Sequence, residues 1–169
     1  ADYLIVDDFE DYNDYPPNEV WNTWIDGYDN PANGSTSGYP DPDFNAGEHY
    51  LETTTVHSGV QSFPLFYDNA AGISEVTKTL SNLRDWTQYD VNTLVLWYFG
   101  DATNAAEPIY AVLNGNAVVT NDDAAAALVL EWTQWDIPLQ QFADQGVNLT
   151  NVTSITIGFG NKSNPTAGG

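Results

Sequence analysis

An all-β sandwich is the fold class this sequence predicts, and three observations predict it. Short runs rich in Val, Ile, Thr and aromatic residues alternate between apolar and polar. Clusters of Gly, Pro, Asn and Asp separate these runs at short intervals. Hardly any stretch carries the helical spacing of an amphipathic helix.

The elements follow in chain order. Residues 4–10, Leu-Ile-Val-Asp-Asp-Phe-Glu, read as an extended first strand that turns Phe9 inward and sets Asp8 and Glu10 side by side on the other face. Unpaired carboxylates repel, so a hard cation with oxygen ligands, calcium above all, is one resolution; a solvated acidic rim is the other. Residues 11–47 are crowded with Pro, Gly, Asn, Asp and Tyr and read as long loops anchored by Trp21, Trp24 and Ile25. Asp41 to Glu52 has the spacing of a helix–loop–helix calcium loop. Ala46 stands where that loop requires Gly and no amphipathic helices flank it, so a plain acidic turn is the better reading.

Strand character begins at Tyr50. Leu51 to Val56 is Thr-rich, His57-Ser-Gly59 is a turn, and Val60 to Tyr67 alternates with Phe63, Leu65 and Tyr67 on one face. Pro64 marks that strand as irregular or near an edge. Ser74 to Leu80 is a further strand. Thr93 to Phe99 is apolar on both faces and reads as a central strand. Ile109–Leu113 and Ala117–Thr120 flank Asn114-Gly115, a hairpin signal. Ala124 to Leu130 reads as a short helix or a loop, Glu131 to Pro138 as a strand with Trp135 and Ile137 on one face, and Leu139 to Asp144 as one helical turn. Ser154 to Gly160 is a period-two strand with Ile155, Ile157 and Phe159 inward. Repeats and linkers are absent, so residues 1–169 read as one domain.

Charge narrows the function classes. Against 24 acidic residues stand only Lys78, Arg84 and Lys162, for a net charge of −21. Nucleic acid is excluded as a partner because phosphate binding needs clustered Lys and Arg, and anionic membrane surfaces are excluded likewise. No run reaches the length of a membrane span. Cys and Met are both absent and the chain opens with Ala. A mature N-terminus after signal-peptide removal, hence an extracellular protein, is the expectation.

The order Val6-Asp-Asp-Phe-Glu10, His57-Ser-Gly-Val-Gln-Ser62 with Tyr67-Asp68, Asp85-Trp86, Thr93-Leu-Val-Leu-Trp97 and Gly100-Asp101 resembles galactose-binding-like β-jelly-roll modules. Among these it is most similar to the family 11 and family 30 carbohydrate-binding modules and related extracellular bacterial domains. Trp132 to Pro138, Phe142, Leu149 to Val152 and Ile155 to Gly158 continue the order. The resemblance implies a jelly roll of two antiparallel sheets with a structural calcium, held at Asp8 or Glu10 and in the His57–Gln61 segment, hence by Asp8, Glu10, His57, Gly59 and Gln61. It also implies a final strand beyond Gly158, which the chain to Gly169 does not supply. An open C-terminal edge is therefore expected.

Catalysis has little support: the two histidines, His49 and His57, belong to no nucleophile-elbow or zinc-protease motif. Aromatic residues are a better lead, because their flat faces stack on sugar rings. Trp24, Tyr28, Tyr39, Tyr98, Tyr110 and Trp132 are the candidate ligand contacts. Asn33, Asn148, Asn151 and Asn161 begin Asn-x-Ser/Thr sequons. Two functions follow as expectations. One is a non-catalytic secreted glycan-binding module with structural calcium. The other is a subunit of an extracellular filament or surface layer, a homo-polymer built by strand addition at the open edge.

Overall fold

The computed structural model describes residues 3–169 as an antiparallel all-β protein with very little helix. A five-stranded sheet has the order β1-β4-β9-β6-β7, where β1 is Trp24–Ile25, β4 Glu75–Thr79, β6 Ile109–Leu113, β7 Ala117–Thr120 and β9 Ser154–Phe159. Two ribbons accompany it: β2 (Thr36–Ser37) with β3 (Leu65–Phe66), and β5 (Thr93–Tyr98) with β8 (Thr133–Pro138).

Alternation explains the layering. On the inner face of the large sheet, Trp24, Val76, Ala111, Leu113, Val119 and Ile155 join one apolar cluster with Leu94 and Ile137 of the β5–β8 ribbon. The cluster is closed by Phe142 from α1 (Gln140–Ala143), the single helical turn expected after Pro138. The Asn114-Gly115 signal forms its hairpin with both residues at positive φ, 52° and 74°. Asn116 is an added loop residue, because Leu113 pairs with Ala117.

β6 is buried on both faces. Its outward Tyr110 lies over Gly158 of β9, its Cα partner. A β-carbon on Gly158 would sit 2.3 Å from Tyr110 Cζ, so only glycine admits the ring there. The hydroxyl donates to Glu75 at 2.7 Å, and Glu75 in turn holds Lys162.

Several expectations need correction. Residues 4–10 form no strand: Phe9 takes a left-handed φ of 63° and the segment is irregular, although Phe9 does turn inward, stacked on Phe63 at 5.2 Å. Leu51 to Val56 is bent chain with one isolated bridge, Glu52 to Ser62, because the Glu52 carboxylate binds the N–H groups of Thr54 and Thr55 and curls the backbone. Val60 to Tyr67 shrinks to Leu65–Phe66. Ser37 pairs with Leu65 inside what reads as loop. Thr93 to Phe99 is not a central strand, since β5 pairs with β8 alone. The last strand, β9, is not at an edge: β4 and β6 flank it, and the tail folds back so that Gly168 and Gly169 accept from the N–H groups of Asn69 and Ala105.

Candidate functional site

The β5–β8 ribbon has a dry side and a wet side. Leu94 and Leu96 of β5 face the core with Trp135 and Ile137 of β8, and strand alternation sets the half-buried Tyr98 on the same side. The alternate positions face solvent: Val95, Trp97 and, just past the strand, Phe99 are 46%, 42% and 41% exposed. The register sets Trp97 opposite Gln134 and Val95 opposite Asp136. One step further along, Phe99 meets Trp132 edge-on at 5.7 Å. His57, from the turn after the Thr-rich segment, lies flat on Trp97 at 3.9 Å and against Trp132 at 5.6 Å. Gln134 donates to Asp136 at 2.6 Å beside these rings.

The result is a strip of four rings, with Trp97, Phe99 and His57 exposed and Trp132 half-buried, and a carboxamide and a carboxylate at its side. Aromatic residues two apart on a strand face are about 7 Å apart, which spreads them as a strip along the ribbon. Such a strip offers π faces to the C–H side of a ring-shaped ligand, and the amide and carboxylate offer acceptors to its hydroxyl groups.

Of the candidate ligand contacts, only Trp132 belongs to this face. Trp24 is 3% exposed in the core, fixed by its indole N–H, which donates to Asp7 at 2.8 Å. Tyr110 is 0% exposed beneath its Glu75 bond. Tyr98 sits on the core side of β5, since strand alternation turns it away from Trp97. Tyr28 is exposed in a loop remote in sequence from the ribbon. Tyr39 lines a hollow with Pro42, His49, Leu51 and Glu52, and its hydroxyl donates to Glu52 at 2.6 Å. Trp97 and Phe99, which the reading of β5 as central had hidden, take the place of the buried ones.

The residues expected to hold calcium meet in part. Glu10 reaches the His57 turn, where it packs against Gly59 and accepts from Val60 N–H at 3.1 Å and Gln61 N–H at 3.4 Å. Gln61 Nε2 donates to the carbonyls of Phe9 and Tyr12. Asp8 is exposed and accepts from the Glu10 N–H, while His57 belongs to the ring stack. Calcium takes six to eight oxygens. Here the oxygens face donors, and no group of three or more His, Cys, Asp or Glu side chains converges among the described residues. As arranged, these residues do not fit the ion.

The repulsion expected in the acidic opening is relieved by protein groups. Asp7, rather than Asp8, is the centre: its Oδ2 accepts from Lys78 Nζ at 2.6 Å, Tyr12 Oη at 2.6 Å and Trp24 Nε1 at 2.8 Å. Its Oδ1 takes the N–H of Phe9 at 2.9 Å.

The Glu52 carboxylate clasps the loop that carries Tyr39 toward the His57 turn. Burial alone would raise its carboxyl. Hydrogen bonds from the Thr54 hydroxyl, Tyr39 and the N–H groups of Thr54 and Thr55 outweigh burial and hold it at about 2. A depressed carboxyl adds stability above its unfolded value and loses it as pH falls toward the folded one. Melting temperature should therefore fall with acid over roughly pH 4.5 to 2, and Glu52→Gln should flatten that slope. An unchanged slope in the variant would refute the assignment.

No family model, curated protein or solved structure matches the chain.

Proposed function

We propose that this chain is a non-catalytic glycan-binding module, with a jelly-roll-like sandwich as scaffold and the exposed face of β5–β8 as its binding surface. The observation that carries the reading is the gathering of Trp97, Phe99, Trp132 and His57 on one solvent-facing strip. Exposed apolar patches on a soluble domain mark interaction sites, and flat rings beside hydrogen-bonding groups suit sugars. A net charge of −21 repels anionic polysaccharides, so the ligand is a neutral one. The resemblance to carbohydrate-binding modules supports the same reading, and such a module would act outside the cell, where polysaccharide is met.

The test is titration of the purified chain with soluble neutral glucans, followed by tryptophan fluorescence and by retardation in glucan-containing gels. Trp97→Ala and Trp132→Ala should each weaken binding about 10-fold, the equivalent of about 1.4 kcal/mol. A wild-type chain that ignores every neutral glucan overturns the reading.

A filament subunit is the second reading. Each strand of the β5–β8 ribbon pairs with only one neighbour, and such edges accept added strands. Sedimentation of the same sample decides: assembly that disappears when residues 1–6 are deleted favours the filament, and a monomer leaves the glycan module.

A further inference from the structure

The central ring of the aromatic strip is already taken. His57 lies on Trp97 with its plane 24° from the indole and the ring centroids 3.9 Å apart, and it meets Trp132 at 5.6 Å and 67°. The imidazole thus touches both indoles and fills the gap between them. A sugar ring stacks its C–H side on an indole at van der Waals separation, about 4 Å. Imidazole and sugar compete for the same place.

Little besides the stack holds the imidazole there. Neither of its ring nitrogens is hydrogen-bonded among the described residues, whereas His49 pairs its Nδ1 with Asp14. The backbone is tied as loosely. Glu52 takes the Thr55 N–H and Glu10 the Val60 N–H, both at 3.1 Å. Between these two anchors no backbone group of residues 56–59 is hydrogen-bonded among the described residues. Segments with so few backbone bonds open at small free-energy cost. His57 therefore rides on a short flap, fixed at both ends and free between them.

A sugar gains there what the imidazole does not. Gln134 is the cross-strand partner of Trp97, and its amide is bonded to Asp136 rather than to His57. We propose that His57 is a built-in competitor: it covers the gap between Trp97 and Trp132, and a glycan binds by displacing it. The inference rests on the glycan reading and deepens it. Binding draws on the molecules whose flap is open, so the apparent affinity is lowered by that fraction. A ligand that joins a flat C–H face to hydroxyl groups for Gln134 and Asp136 makes up for the lost stack. A plain apolar ring does not, so the flap keeps the strip from other sticky surfaces.

The experiment titrates the full chain with two soluble probes, hexasaccharides of β-1,3-linked and of β-1,4-linked glucose. His57→Ala should bind the better probe about 3- to 10-fold more tightly than wild type, because the competing stack is gone. His57→Phe puts a flat ring back and should bind less tightly than His57→Ala. Proton NMR reads the displacement itself, since the chain has only two histidines. Stacked on an indole, the His57 ring protons should resonate upfield of those of His49, and saturating hexasaccharide should move them to the position of an unstacked imidazole. Equal or weaker binding by His57→Ala, or His57 signals unmoved at saturation, overturns the competitor and leaves the glycan module standing. Wild type and His57→Ala that both ignore the two hexasaccharides overturn it as well, and silence towards every neutral glucan removes the glycan reading with it.

Discussion

Replacing Asp7 by Ala is expected to destabilise the fold by about 3–5 kcal/mol, the usual cost of stranding one partner of a buried ion pair. The Asp7 side chain is 9% exposed and that of Lys78 18%, so water reaches neither freely. The substitution removes the acceptor for Lys78, Tyr12, Trp24 and the Phe9 N–H together. At this chain length the melting temperature should fall by on the order of 10 °C. Asp7→Asn should cost less, because an amide oxygen still accepts from Trp24 or Tyr12 while the ammonium loses its counter-charge. Urea unfolding followed by tryptophan fluorescence measures both. A loss under about 1 kcal/mol for Asp7→Ala would mean that the pair is solvated and behaves as a surface bridge.

Adding one methyl group at Gly158 should cost about 2–3 kcal/mol, at the upper end of overpacking effects. The new β-carbon would lie 2.3–2.5 Å from Cζ, Cε2 and Oη of Tyr110, so the ring must leave its seat and give up its bond to Glu75. Glu75 would keep Lys162 as its counter-charge. The mechanism makes a sharper claim than the single variant does. Tyr110→Ala removes the ring and is itself costly, about 3–5 kcal/mol. Gly158→Ala added to it should then cost little more, since the clash is gone. Full additivity of the two losses would refute the steric account.

Local patterning was enough for β4, β6, β7, β8, α1 and β9. Each carries its own alternation or turn chemistry, although β6 is buried on both faces and β9 buries Thr156 and Gly158 more deeply than Ile157 and Phe159. The N-terminal segment was misread because its structure is decided at long range. Asp7 is drawn to Lys78, 71 residues away, and the backbone bends to serve that contact. Nothing in Leu4 to Glu10 announces it. β5 was misread for a different reason. Apolar residues on both faces of a strand suit two-sided burial, but they equally suit one buried face and one sticky exposed face. Trp97 and Phe99 share that outer face with Val95, and their parity could have been read from the sequence.

The chain's few cations have one more consequence. Lys78 lies within a sheet, flanked by β1 and β9, and holds Asp7; Lys162 is drawn to Glu75. Arg84 alone sits exposed in a loop. Proteases that cut after Lys or Arg need several residues of extended, unpaired chain around the scissile bond. Lys78 denies them that, and Arg84 is followed by an acidic residue, with its own carbonyl taken by the N–H of Val152 at 2.7 Å. Lys162 lies in the irregular, mostly exposed tail, so a protease of this class should cut the folded chain first after Lys162, leaving the chain up to that residue as one fragment.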